Sequence, residues 1–140
     1  TDYNVIQKTI LECAEMFDIQ SIAFDRWNSN SLVQQLTDKG LEMDPFGQGF
    51  ISMTAPIKNA EVLVKKRLLH HGGNGMLRWM IANVVTKKDD AENVKFSKAK
   101  AGDKIDGIIA MIMALGEMMT MENKDVTGTS TYESQGIRML

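Results

Sequence analysis

The sequence has little of what disulfide-bonded, membrane-spanning or fibrous proteins need. Cys13 is the only cysteine in 140 residues, which excludes an intramolecular disulfide and a cysteine-based metal site and favours a reducing compartment. Two prolines and an ordinary share of charged residues are typical of a globular chain. The most apolar segment, residues 105–121, contains Gly107, Gly116 and Glu117, so a membrane span is not expected.

Neither sign of charge dominates, because 16 basic residues stand against 18 acidic ones. Lysines nevertheless cluster within residues 95–104, and a local basic face is enough for contacts with nucleic-acid phosphates. No G-x-x-x-x-G-K-[ST] motif occurs, and no glycine-rich phosphate loop follows a predicted strand. This absence disfavours a nucleotide-binding α/β domain.

Length and hydrophobic patterning predict one domain over residues 1–122 and a flexible tail over residues 123–140. The tail is rich in Thr, Ser and Gly and has no apolar periodicity. The chain opens in the middle of a pattern, on Thr-Asp-Tyr without a methionine. This opening indicates a fragment of a longer protein.

The first half of the domain predicts a βαβ unit. A helix capped by Asn4 precedes a strand at residues 19–24, and a second helix, ended by Gly40, leads to a strand at residues 41–43. A right-handed crossover makes the two strands parallel. Asp25 then lies at the carboxyl end of the first strand, where open α/β sheets bind ligands.

The second half predicts two long helices and a hairpin between them. Pro56 is expected in the first turn of a helix that continues to Leu68. Residues 84–86 and 94–96 flank a polar segment and predict an antiparallel hairpin. The last helix, residues 103–121, is apolar on nearly every side and is expected to be buried.

Three aspartates are candidates for chemistry. Asp25 ends a buried strand, Asp106 lies in the first turn of a buried helix, and Asp103 is expected on the same helical face. Carboxylates are the oxygen ligands that hard ions such as Mg²⁺ take, together with substrate phosphate. Structural roles compete, since Asp25 can cap a helix or pair with Arg26, and Asp103 can be an N-cap. Asp106 precedes Gly107, which leaves room for an approaching group.

Three blocks of sequence together resemble a known protein family. They are "AFDRWN", "QGFISMTAPIKNAEVLVKKRLLHHGGNGMLRWMIAN" and "NVKFSKAKAGDKIDGIIAMIMAL". In this order they resemble the C-terminal nuclease domain of the large terminase subunit of tailed bacteriophages, over about residues 19–119. The resemblance implies an α/β, RNase H-like fold with a mixed central sheet flanked by helices. It also implies a metal-dependent endonuclease that cuts concatemeric double-stranded phage DNA during genome packaging.

The resemblance further implies site residues and partners. Asp25 and Asp106 match catalytic acids of the family and, with Asp103 as an auxiliary acid, would hold two Mg²⁺ or Mn²⁺ ions. Implied partners are double-stranded DNA, the portal, the small terminase subunit and the ATPase domain of the same full-length protein, in the cytoplasm of the bacterial host. Five basic residues are candidates for contact with DNA phosphates, with a plain solvated face as the alternative: Arg26, Arg78, Lys98, Lys100 and Lys104.

Three features depart from the family pattern. The family's first catalytic acid lies on a strand upstream of the first helix, and we expect this strand to be missing here. Phe24 replaces the usual tyrosine before the acid, and Gly75 replaces the proline of "GGNP". The alternative function is therefore a non-catalytic fragment that docks DNA or the portal.

Overall fold

The computed structural model describes residues 2–25, 30–97 and 100–128 of the chain. Within these ranges the chain forms five helices and four strands, so the predicted mixed α/β class is confirmed. In chain order they are α1 (Tyr3–Met16), β1 (Ile22–Phe24), α2 (Asn30–Asp38), β2 (Met43–Pro45), α3 (Phe50–Lys65), α4 (Gly75–Ala82), β3 (Thr86–Lys88), β4 (Val94–Phe96) and α5 (Asp106–Gly128).

Within the described ranges the strands form two two-stranded sheets, one parallel and one antiparallel. β1 and β2 are parallel, with Ala23 opposite Asp44, and α2 connects them. This confirms the predicted βαβ unit. β3 and β4 are antiparallel, with Lys87 opposite Lys95, and they form the predicted hairpin. β1 covers only the last three residues of the predicted strand, and β2 and β3 each start two residues later than predicted.

Capping explains one helix boundary that the sequence pattern misplaced and one that it placed correctly. α1 is capped by Asp2 rather than Asn4, because the Asp2 side chain accepts a hydrogen bond from the Asn4 N–H at 2.9 Å. α2 ends as predicted, since Gly40 adopts a φ of 88° and its N–H donates to the Thr37 carbonyl. The adjacent Leu41 N–H donates to the Leu36 carbonyl, which completes a Schellman motif.

The starts of α3 and α5 also differ from prediction. α3 begins at Phe50, so Pro56 is buried inside the helix and not in its first turn. The earlier start lets Met53, one turn before Ile57, be buried along with it. α5 begins at Asp106 instead of residue 103 and continues to Gly128, past its predicted end near residue 121, so residues 123–128 are helical and not part of a tail. The rest of the predicted tail, residues 129–140, lies outside the described residues.

α5 is the centre of the hydrophobic core, which agrees with the burial predicted for it. One stripe of α5 packs against α3 and β4, in a cluster of Met53, Ile57, Ala60, Val94, Ile108 and Ile112. A neighbouring stripe, made of Ile109 and Met113 together with Ile105 just before the helix, packs against groups that include Ala23 of β1 and Phe46. The second stripe brings the end of β1 to the beginning of α5. In the part of the chain that is described, no helix has the length and hydropathy of a membrane span.

Candidate functional site

Asp25 follows directly after β1 and is half-buried. The side-chain amide of Gln48 donates a hydrogen bond of 3.0 Å to Asp25 Oδ2. Gln48 lies between β2 and α3, and its Nε2 is also 3.9 Å from Met113 Sδ on α5. Gln48 therefore joins Asp25 to α5 and orients its carboxylate. The competing pairing with Arg26 lies outside the described residues.

Asp106 is the first residue of α5, and it is exposed. The residue before it, Ile105, is buried, and its carbonyl accepts hydrogen bonds of 3.0 Å from the N–H groups of Ile108 and Ile109. A carboxylate in the first turn of a helix is favoured by the helix dipole. Because Ile105 and Ile109 pack in the same cluster as Ala23, Asp106 and Asp25 flank one contact between α5 and β1.

Gly107 does not provide the open approach that the sequence predicted. A Cβ at this position would lie 2.8 Å from Met80 Sδ and 3.5 Å from Leu77 Cδ2. Both side chains belong to α4, which packs against α5 at this point. The glycine beside Asp106 accommodates a neighbouring helix, so it is not evidence for a ligand.

Asp103 is neither the N-cap of α5 nor on its surface, and both predictions are wrong. It lies exposed in the turn before the helix, where its Oδ1 accepts a hydrogen bond of 2.8 Å from the Lys104 N–H. The helix begins three residues later, so the spacing between Asp103 and Asp106 does not place them on one face. A role for Asp103 beside a metal stays a prediction.

The structure distributes the predicted basic residues over separate elements. Arg78 is exposed on α4, and Lys100 and Lys104 are exposed in the segment before α5. Arg26 and Lys98 lie outside the described residues. Contact of these five residues with DNA therefore stays a prediction.

A pocket of about 310 Å³ lies beside the pair formed by Asp25 and Gln48. Its lining comes from the β2–α3 loop, α3, the hairpin and α5: Gln48, Met53, Lys87, Lys95, Phe96, Ser97 and Ile109. Gln48 and Lys87 were not among the predicted site residues. No local motif marks them, because the groups around the pocket come from distant parts of the chain.

The carboxylates of Asp25 and Asp106 have the donor chemistry of a Mg²⁺ or Mn²⁺ site. Within residues 2–25, 30–97 and 100–128, however, no group of three or more His, Cys, Asp or Glu side chains is placed to hold a metal ion. The kind of ligand therefore fits a hard divalent ion. The described residues supply only part of the ligand set.

Residues 1–122 match the protein family described as "Terminase large subunit, endonuclease domain". The chain belongs to this family. It is also similar to the large terminase subunit of Enterobacteria phage HK97, with 36% identity over 117 residues, which cover 82% of this chain and 23% of that protein. Protein YmfN of Escherichia coli (strain K12) is 34% identical over 143 residues, covering 99% of this chain and 31% of YmfN.

The fold agrees with that of a solved family member. The crystal structure of the HK97 bacteriophage large terminase matches with a TM-score of 0.76 and 35% identity, over 84% of this chain and 25% of that one. The predicted RNase H-like class is consistent with this match. The chain spans less than a third of the relatives that it matches.

Proposed function

We propose that this chain is a metal-dependent endonuclease domain that cuts concatemeric double-stranded phage DNA during genome packaging. Its family supports nuclease chemistry. The observation that carries the proposal is the packing of β1 against the start of α5, where Ala23 contacts the cluster of Ile105 and Ile109. This packing brings the ends of two elements together, and each of them bears a candidate acid, Asp25 or Asp106.

Each acid has a defined part in this proposal. Asp25 and Asp106 would hold two Mg²⁺ or Mn²⁺ ions, and Asp103 would assist directly or through water. Gln48 keeps Asp25 oriented through the 3.0 Å hydrogen bond. Ions held there would supply Lewis-acid chemistry for phosphodiester hydrolysis, favouring the attacking water and the leaving oxygen. The resemblance implies that another acid comes from a strand that precedes α1 in the family.

The proposed setting is a packaging motor in the cytoplasm of the bacterial host. There the domain acts with the ATPase domain of the full-length protein, the portal and the small terminase subunit. The substrate is duplex DNA, whose phosphates carry the charge that the predicted basic residues would contact.

Nicking of a supercoiled plasmid tests the proposal, with the 140 residues preceded by the upstream strand that carries the family's first acid. We expect Mn²⁺-dependent conversion to the relaxed form, and we expect Asp25→Asn and Asp106→Asn to abolish it, since each removes a charged ligand. Asp38→Asn is the matched control, because Asp38 is an exposed acid at the end of α2 and is held by Gln34. Thermal unfolding verifies that every variant is folded. Nicking retained by either site variant contradicts the assignment.

The alternative is a non-catalytic piece that docks DNA or the portal. One observation favours it, namely that the described residues contain no group of three potential metal ligands. Duplex binding without nicking at any Mn²⁺ concentration would support this alternative. Metal-dependent nicking that Asp25→Asn removes would exclude it.

A further inference from the structure

Lys87 and Lys95 lie directly opposite each other in the β3–β4 hairpin, and both line the pocket beside Gln48. Like charges that face each other across a strand pair destabilise it. The sequence nevertheless places two positive charges here. Such an arrangement favours an anion as the missing partner.

The ring of Phe50, the first residue of α3, lies beneath both ammonium groups. Lys95 Nζ is 4.7 Å and Lys87 Nζ is 5.9 Å from the ring centroid. A ring face attracts cations without neutralising their charge. Within the described ranges, the ion pairs involve other lysines, and neither Lys87 nor Lys95 is paired with a carboxylate. Phe50 therefore aligns two positive charges that remain available.

Lys88, in the same strand as Lys87, is paired with a carboxylate. Successive side chains of a strand point to opposite faces, so the Lys88 side chain lies on the face of the hairpin opposite to that of Lys87. Its Nζ lies 3.1 Å from Glu92 Oε2. The contrast indicates that no carboxylate of the described residues compensates the charges on the pocket side.

Two residues that line the pocket connect it to the candidate acids. Gln48 lines it and donates to Asp25 Oδ2. Ile109 also lines it and lies one helical turn after Asp106 on α5. Ser97 adds a hydroxyl that can donate to an anion. A polyanion close to two carboxylates needs nearby positive charge, and the two lysines supply it.

We infer that Lys87 and Lys95 bind a backbone phosphate of duplex DNA in this pocket and hold the strand beside Asp25. The identity of the ligand as DNA rests on the proposed function, whereas the presence of an anion site rests on the pocket and its charges. Phe50 is a positioning residue that sets the two ammonium groups. Phosphate contacts carry no sequence information, so binding through this site is independent of base sequence.

The test measures binding of the complete chain to fluorescent duplexes of two unrelated sequences, by anisotropy, over a series of salt concentrations. Ca²⁺ replaces Mg²⁺ and Mn²⁺ to separate binding from cleavage, and a parallel series contains EDTA. We expect Lys87→Gln and Lys95→Gln to weaken binding to both duplexes alike. Together the two substitutions should reduce the slope of log Kd against log salt by about one, because both lysines bind the same phosphate. Phe50→Leu should weaken binding but keep the slope, because both charges remain.

Lys88→Gln is the matched control, since it removes the same charge from the neighbouring position of the same strand. We expect it to leave the salt slope at the wild-type value, and thermal unfolding verifies that all variants are folded. Equal slope changes for Lys87→Gln and Lys88→Gln would overturn the inference, because a diffuse charge effect would then explain both. Failure of the unmodified chain to bind either duplex would also overturn it.

The plasmid nicking assay distinguishes failure of the phosphate site from failure of the proposed nuclease function. If the lysine variants lose duplex binding and the protein with its upstream strand never nicks, the phosphate site stands and the nuclease proposal fails. If the unmodified chain nicks and the lysine variants bind duplex DNA with the wild-type salt slope, the nuclease proposal stands and the phosphate site fails.

Discussion

Gly116 of α5 lies directly against the ring of Phe46, so closely that a Cβ on the glycine would be 2.5 Å from Phe46 Cζ. Pro56 Cγ, on α3, would be 3.3 Å from the same Cβ. Phe46 packs against both core clusters and stands two residues before Gln48. The contact therefore helps to position the loop that carries Gln48.

Gly116→Ala is expected to destabilise the protein by about 1–3 kcal/mol, because an added methyl group must displace a packed aromatic ring. Gly75→Ala is the matched control: Gly75 begins α4, and a Cβ there meets no atom within 4 Å. The control should change stability little, or raise it by up to about 1 kcal/mol, since alanine is a better helix former. Urea unfolding of both variants measures the difference. Equal stabilities would contradict the packing argument.

Gln48→Leu tests the orientation of Asp25. Leucine retains most of the side-chain volume but cannot donate the hydrogen bond to Asp25 Oδ2. Groups that orient metal ligands typically affect metal affinity or activity by about 10–100-fold. We expect a change of this size in the rate of plasmid nicking or in the Mn²⁺ concentration it requires.

Gln34→Leu is the control for this prediction, because Gln34 Nε2 donates a similar hydrogen bond, of 2.9 Å, to Asp38 Oδ1 on the exposed face of α2. It should nick as the unmodified chain does. If Gln48→Leu also nicks normally, Gln48 is not a positioning residue for Asp25.

Arg67→Gly is expected to stabilise the protein. Arg67 has a φ of 56°, in the left-handed region that disfavours side chains. It ends α3 in a Schellman arrangement, with the Arg67 N–H on the Val64 carbonyl at 3.0 Å and the Leu68 N–H on the Leu63 carbonyl at 2.8 Å. Glycine removes the conformational strain and should raise the free energy of unfolding by about 1 kcal/mol.

Lys66→Gly, one position earlier, provides the control for Arg67→Gly. Lys66 has ordinary right-handed backbone angles, with φ of −82° and ψ of −2°. Glycine there should lower stability or leave it unchanged, because it gains nothing from relief of strain. Thermal unfolding of both variants measures the difference in stability. An Arg67→Gly variant that melts below the unmodified chain would contradict the prediction.

Asp89 is expected to make the hairpin sensitive to acid. Its side chain accepts hydrogen bonds from the Asn93 side chain at 2.9 Å and from the backbone N–H groups of Asn93 and Ala91. These contacts, the Asn93 side chain first, hold the pKa of Asp89 below its usual value. A lowered pKa in the folded state stabilises the fold above the unfolded pKa of about 3.9, and this contribution is lost as pH falls through the folded value.

The comparison with Asp89→Asn measures that effect, since asparagine keeps the shape of the side chain but does not titrate. The stability difference between the two proteins should be constant near neutral pH and should shrink below about pH 4. Asn93→Ala removes the largest cause of the shift and should weaken the same pH dependence. A difference that stays constant down to about pH 3 would contradict the prediction.

Local sequence patterns predicted much of this fold. The period of the apolar residues identified α1, α2, α3 and α5, and the polar segment between two β-prone runs identified the hairpin. Boundaries were less accurate where a cap or a packing contact decided them. Asp2 rather than Asn4 caps α1, and the burial of Met53 against α5 extends α3 in front of Pro56.

For the site, Asp25 and Asp106 could be chosen from their places at the end of a strand and the start of a helix. Asp103 was misplaced because its spacing from Asp106 has meaning only if both residues are helical. Gly107 was misread because the atom that fills its space, Met80 Sδ, belongs to another helix.

The sequence by itself determined the order of the elements other than α4, the two candidate acids and the family, since these depend on neighbouring residues and on motifs in a fixed order. Only the tertiary structure decided that Gln48 holds Asp25 and that Lys87 and Lys95 share the ring of Phe50. Each of these contacts joins residues far apart in the chain. Their geometry follows from how α3, α5 and the hairpin pack together, and no local pattern encodes that packing.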